Sequence, residues 1–163
     1  MRQDGLTLLE ILICIAVLLI LLTLGAPAMD EFIHKQRAES YVQQFQRHLN
    51  YARVQASSSQ QPVRLCPGQI DLCQGQWQKD PLLLSLLNPL TNQAILLREL
   101  PLLPSGHQLS YNRQQLQFRR DGSLDALENG TFHYCPPGRF NWHYRIVMNQ
   151  AGRNRLQRLP YAC

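Results

Sequence analysis

The chain changes its pattern of apolar and polar positions twice. From Leu6 to Ala28 it is almost wholly apolar, with Glu10 the single charge. From Ala38 onward apolar residues recur at spacings of four, three, four, three and four, through Val42, Phe45, Leu49, Ala52 and Ala56. That period places one stripe along a helix, with Lys35, Arg37, Glu39, Gln43, Gln44, Arg47 and Asn50 opposite it. Ser57 to Pro62 carries the residues that stop such a helix. Beyond residue 61 the period shortens to two. Val63 and Leu65, Leu109 and Tyr111, Leu116 and Phe118, Phe132 and Tyr134, and Tyr144, Ile146 and Met148 each alternate as on a half-buried strand. Asp121-Gly122 and Asn149–Gly152 read as turns. Leu82–Leu87 and Ile95–Leu103 are apolar but follow neither period, and prolines at 81, 89, 101 and 104 interrupt them. Periodicity predicts one helix from Leu6 to about Ser57, kinked at Pro27. It is followed by an antiparallel β head, an α+β architecture.

Leu6 to Gly25 would span about 30 Å as a helix, enough to cross the hydrocarbon core of a bilayer. A carboxylate inside such a span costs roughly 2.5–3.5 kcal/mol, so Glu10 requires a function and a partner. The apolar run is also longer than that of an ordinary secretory signal.

Charge adds a third division. The chain has 16 Lys and Arg against 11 Asp and Glu, a net charge of +5. All of the excess lies beyond residue 128, where Arg139, Arg145, Arg153, Arg155 and Arg158 are accompanied by no acid. Arg presents a planar fork of donors suited to phosphate oxygens. On a strand after the turn, Arg153 and Arg155 would share a face about 6.8 Å apart, two base-pair rises of B-DNA. Arg158 is placed beyond them on the same side, Arg145 on the opposing strand and Arg139 in the loop before it. Trp142 and Tyr144 are candidates to stack on bases. A solvated basic edge that discourages strand-to-strand aggregation is the competing explanation.

Cys14 lies within the apolar run and reads as a small apolar residue. Cys66, Cys73, Cys135 and Cys163 permit three pairings. The expected one joins Cys66 to Cys73 around Pro67-Gly68, and Cys135 to Cys163, tying the end of the sequence to a strand. Neither the cysteine spacing nor the five histidines suit a metal, and no cofactor is expected. No Ser/His/Asp set, carboxylate pair or glycine-rich phosphate loop forms a catalytic constellation, so an enzyme is not expected.

Gly5-Leu6-Thr7-Leu8-Leu9-Glu10 resembles the class III signal of type IV prepilins. The resemblance implies cleavage between Gly5 and Leu6 by a membrane-embedded prepilin peptidase, and N-methylation of Leu6. It also implies a role for Glu10, pairing with the Leu6 amine of a neighbouring subunit inside the filament. Breaking such a buried pair costs about 3–5 kcal/mol, which rewards correct stagger. Leu49 to Ala56, with its Ala52-Arg53 pair, and then Pro62 to Cys66, Cys73, Trp77, Cys135, Gly152-Arg153-Asn154-Arg155 and Cys163, resemble the GspH/FimT family of minor pilins and pseudopilins. The implied organisation is a leader at 1–5, a membrane and filament-core helix at 6–28, an amphipathic helix at 29–60 and a disulfide-stabilised head at 61–163. The implied location is the inner membrane, crossed once, with the head in the periplasm and at the cell surface after assembly. The implied partners are other major and minor pilins. In FimT-like members the Gly-Arg-x-Arg segment is associated with double-stranded DNA and its uptake in natural transformation. That assigns DNA binding to Gly152, Arg153 and Arg155, with Arg158, Arg145 and Arg139 beside them. A priming or tip subunit without DNA affinity, and a GspH-like pseudopilin of type II secretion, are the alternatives.

Overall fold

The structure, a computed structural model, describes residues 7–91 and 93–163, and of 24–28 only the backbone. Gly5 and Leu6, the expected cleavage and methylation positions, lie outside the described residues. A single helix, α1 (Leu8–Ser59), is followed by β1 (Val63–Pro67), β2 (Leu82–Leu87), β3 (Ala94–Glu99), β4 (Gln108–Tyr111), β5 (Leu116–Phe118), β6 (Gly130–Cys135), β7 (His143–Met148) and β8 (Asn154–Leu159). Thr7 caps the helix: its side-chain oxygen accepts from the Glu10 amide at 3.3 Å. Thr7 and Glu10 thus occupy the N-cap and N3 positions of a Thr-x-x-Glu start. At the other end Gln60 takes a left-handed φ of 55° and stops the helix ahead of Pro62.

The chain divides into two compact units at Arg37 and Ala38. In the first, the described apolar side chains are open, from Leu8 through Leu22 and again at Met29 and Phe32. Glu31 pairs with Lys35 at 2.7 Å, one turn apart. Among the described residues no helix is long and apolar enough to cross a membrane. The described side chains of the apolar run end at Thr23, about 24 Å of helix from Leu8.

The second unit, Ala38–Cys163, holds the core. Ala38, Val42, Phe45, Leu49, Ala52 and Ala56 are all buried, so the helical stripe is real, and Tyr41 joins it. Two four-stranded antiparallel sheets complete the unit, in the orders β3-β2-β1-β5 and β4-β6-β7-β8. The stripe meets the second sheet through aromatic rings: Phe45 stands edge-on to Phe132 at 5.0 Å, and Tyr41 stacks on Tyr134 at 5.3 Å. Trp77 covers Tyr111 and Phe132. Disulfides join Cys66 to Cys73 and Cys135 to Cys163, with Cα separations of 5.2 and 5.9 Å.

Of the two apolar stretches without a period, Leu82–Leu87 is a strand throughout and Ile95–Leu103 is a strand only as far as Glu99, with residues 100–103 irregular. β2 is flanked by β1 and β3 and has consecutive residues buried on opposite faces, Leu84 and Ser85, so its burial does not alternate; the irregularity in its pairing with β3 falls at Leu97 of β3. β3 is an edge strand with Ile95 and Leu96 both exposed, so neither face is marked by burial.

Candidate nucleic-acid interface

β7 and β8 form a hairpin with an unbroken register, from Met148 opposite Asn154 to His143 opposite Leu159. One more rung follows at the turn, where the Asn149 amide donates to the Arg153 carbonyl at 3.0 Å. Tyr144, Ile146 and Met148 are buried, so the positions paired with them, Arg158, Leu156 and Asn154, lie on the core-facing side of the sheet. Arg153, Arg155 and Gln157 fall on the outer side. Arg153 and Arg155 are both exposed. Neither guanidinium has a hydrogen-bond or ion-pair partner among the described residues.

The residues between them do the fixing. Asn154 accepts from the Gln46 amide and donates to Asn50, each at 2.7 Å, which ties the start of β8 to α1. Gly152 is buried with φ +72°, and a Cβ there would sit 2.1 Å from the Gly122 carbonyl oxygen. Gln150 binds the same loop: its side chain donates to the Leu124 carbonyl at 2.7 Å, and its carbonyl accepts from the Leu124 amide at 2.9 Å. Gly152 therefore serves as a point of close backbone approach, which is its contribution to the segment assigned to DNA.

Three expectations change here. Strand alternation without a bulge puts Arg158 on the opposite face from Arg155, so it does not extend their row. Arg145 does share the outer face, but it is half-buried and its Nε and Nη2 both donate to Gln157 Oε1, at 3.1 and 2.8 Å. Trp142 and Tyr144 are only 3% and 5% exposed and are core residues, packed on Phe140 and Tyr134. They are not presented to bases. Burial, with a smaller contribution from Glu39, pushes the Tyr144 phenol up. Arg139 is exposed in the loop before β7, with its guanidinium carbon 4.9 Å from the Phe140 ring centre.

Two further arginines stand near the tip without having been marked by the basic segment. A Cβ on Gly122 would sit 3.2 Å from Arg53 Cγ, and one on Gly152 would sit 3.4 Å from Arg53 Cδ. The Arg53 stem therefore runs beside both glycines. Arg120, exposed in the turn before Gly122, is the second, whereas Arg119 beside it is held by Asp125 at 3.0 Å. Only the Ala52-Arg53 pair carries a signal in the sequence. Its meaning depends on the contact between the two glycine turns, which is far from local. Among the described residues no group of three or more His, Cys, Asp or Glu side chains could hold a metal ion.

A long N-terminal helix, an amphipathic half packed on antiparallel sheets and a late disulfide define the fold of type IV pilins. The chain belongs to the GspH family, described as Type II transport protein GspH, whose model matches residues 41–152. A prokaryotic N-terminal methylation motif matches residues 1–26. Family and fold together place it in the class of minor pilins and pseudopilins. The crystal structure of the type IV minor pilin FimU of Pseudomonas aeruginosa strain PAO1 is similar in fold, with a TM-score of 0.61 and 22% identity over 77% of this chain and 92% of that one. The minor pseudopilin EpsH from the Type 2 Secretion System of Vibrio cholerae is also similar, with a TM-score of 0.56 and 18% identity over 74% of this chain and 96% of that one. No curated protein matches the sequence.

Proposed function

We propose that this chain is a minor type IV pilin whose head binds extracellular double-stranded DNA for uptake in natural transformation. Arg153 and Arg155 carry the binding, and Arg145 and Arg139 add positive field around them. One observation carries the reading: two exposed, unpaired guanidiniums stand two residues apart at a rigid hairpin tip, within a segment that holds five arginines and no acid. A purely protective basic edge needs charge but not a locked tip. Backbone phosphates, not bases, are the ligand, so sequence preference is weak. In this reading the leader is removed after Gly5, Leu6 is methylated by the prepilin peptidase, and the helix from Leu6 inserts in the inner membrane with the head in the periplasm. Glu10 then pairs with a neighbouring subunit's Leu6 amine when major and minor pilins assemble.

The test is binding of a short random-sequence duplex to the full chain in detergent. Replacing Arg153 and Arg155 together by Gln is expected to abolish most binding. It should also flatten the log–log salt dependence by roughly two, at about 0.9 for each phosphate no longer neutralised. Thermal stability should stay within about 0.5 kcal/mol, as for exposed surface positions. Lys35→Gln with Arg37→Gln should change binding much less. Equal reductions from the two pairs would mean diffuse electrostatics and would remove the assigned site. The family's description and the likeness to EpsH favour a second reading, a pseudopilin of type II secretion. A folded wild-type chain that binds no duplex would leave that reading in place.

A further inference from the structure

The outer face of the second sheet continues past Arg155 to a pocket of about 320 Å³. Ser110, His133 and Arg145 form one row across β4, β6 and β7, because each is the register partner of the next. His143 is two residues from Arg145 on β7, hence on the same face. The Cys135–Cys163 bridge and Tyr161 wall the far side. The His133 and His143 ring centres are 6.0 Å apart. His143 is buried, and its Nδ1 lies 2.8 Å from the Tyr161 carbonyl oxygen; a carbonyl only accepts, so Nδ1 carries the proton. No Asp or Glu side chain lines the pocket, and Arg145 is held there by the neutral Gln157. Two imidazoles, a guanidinium and a hydroxyl therefore converge with no acidic side chain among them. Arg155, Arg145 and the histidines follow one another along β8 and β7 at strand steps of about 7 Å.

We infer that this pocket is a phosphodiester subsite that extends the DNA footprint from Arg153 and Arg155 across the sheet, and that DNA binding there tightens as pH falls. The inference rests on the DNA-binding reading above. The groups that face His133 are His143 and Arg145 from β7 and Ser110 from β4. β8 adds Gln157 and Leu159, neither titratable. Beyond β8, the Tyr161 phenol is the titratable side chain added, with Ala162 and the bridged Cys163 closing the wall. Burial first, then the charges of His143 and Arg145, hold the His133 imidazole below its ordinary value, so it is mostly neutral in the free protein at neutral pH. A phosphate in the pocket offsets the same-sign charges and favours the imidazolium, so binding takes up a proton.

The experiment measures affinity of the full chain in detergent for a short duplex at about pH 7.5 and about pH 5.5, at one salt concentration. Wild type should bind about three- to tenfold more tightly at the lower pH, for up to one proton taken up. His133→Gln, at a half-buried position with no hydrogen bond of its own to lose, should lose most of the acid gain that wild type shows. Arg145→Gln should weaken binding at both pH values. The His133 ring signals in NMR should titrate at higher pH with duplex present than without. An equal acid gain in His133→Gln, or no acid gain in wild type that still binds duplex, overturns this inference alone. Absence of duplex binding by folded wild type at both pH values overturns the DNA-binding reading and this inference with it.

Discussion

The two ends of the β7–β8 hairpin are held by different means. At the tip, Gly152 presses on Gly122, Gln150 binds Leu124, and Asn154 binds Gln46 and Asn50 of α1. These are non-covalent locks placed on every second residue, and the residues between them, Arg153 and Arg155, are left to solvent. At the open end the lock is the Cys135–Cys163 bond, helped by His143 on the Tyr161 carbonyl, and a pocket remains beside it. Strand alternation explains the difference. In Gly152-Arg153-Asn154-Arg155 even positions face the helix and odd positions face out, so the motif interleaves anchoring and presentation. The open end has no such alternation of roles, and one covalent bond fixes it.

Breaking the tip should have the largest effect. Gly152→Ala places a methyl against the Gly122 carbonyl and demands a left-handed φ from a residue with a side chain. A destabilisation of about 2–4 kcal/mol is expected, read as the denaturation midpoint of the full chain. An unchanged midpoint would show that the two turns part without cost. Opening the other end with Cys163→Ser should cost about 2–4 kcal/mol or slightly less, because the closed loop spans 28 residues. Duplex affinity at neutral pH should stay within about twofold, since the locks at the tip are elsewhere and little ordering entropy is added to binding. A large drop in affinity would mean that the disulfide, not Asn154 and Gly152, positions the arginines.

Much of this was legible because it was local or periodic. The stripe from Ala38 to Ala56 identified the buried face of α1 residue by residue, and the alternation of Tyr144, Ile146 and Met148 identified the core face of β7. What could not be read was pairing at a distance. Arg158 carries the same charge as Arg155, and only the unbroken register with Tyr144 shows that it faces the other way. Trp142 and Tyr144 look like stacking residues in a basic segment until Phe140 and Tyr134 are placed beside them. Arg53 acquires meaning only where Gly122 and Gly152 meet. β2 and β3 failed for physical reasons of their own, burial on both faces in one and two solvated faces in the other.

Asn154→Ala separates anchoring from presentation at the tip itself. It removes the bonds to Gln46 and Asn50 while leaving Arg153 and Arg155 in place. A cost of about 1–2 kcal/mol is expected, since one side chain gives up two half-exposed hydrogen bonds. Duplex affinity should fall modestly and the salt slope should not change, because the same phosphates stay neutralised. A slope reduced by about one would show Asn154 acting with the arginines at the phosphate.

The smallest expected effect is on stability as a function of pH. Burial first, then the charges of Arg98 and Arg47, hold the His48 imidazole below its ordinary value, as burial, His143 and Arg145 do for His133. Both His48 ring nitrogens are buried without a hydrogen-bond partner, so its neutral form suits the fold. A base whose folded pKa is depressed contributes stability that is present above its unfolded value, about 6.5, and lost as pH falls through the folded value. Glu128 acts in the opposite sense: burial raises its pKa, so its contribution is present below the ordinary carboxylate value and lost as pH rises. The two histidines are isolated by difference. Between about pH 7 and pH 5, the midpoint of His48→Gln/His133→Gln should rise relative to wild type, by the linkage of at most two protons. If the two curves stay parallel across that range, neither imidazole changes its proton affinity on folding. The tuned histidine in the outer-face pocket would then have to owe its pH response to DNA alone.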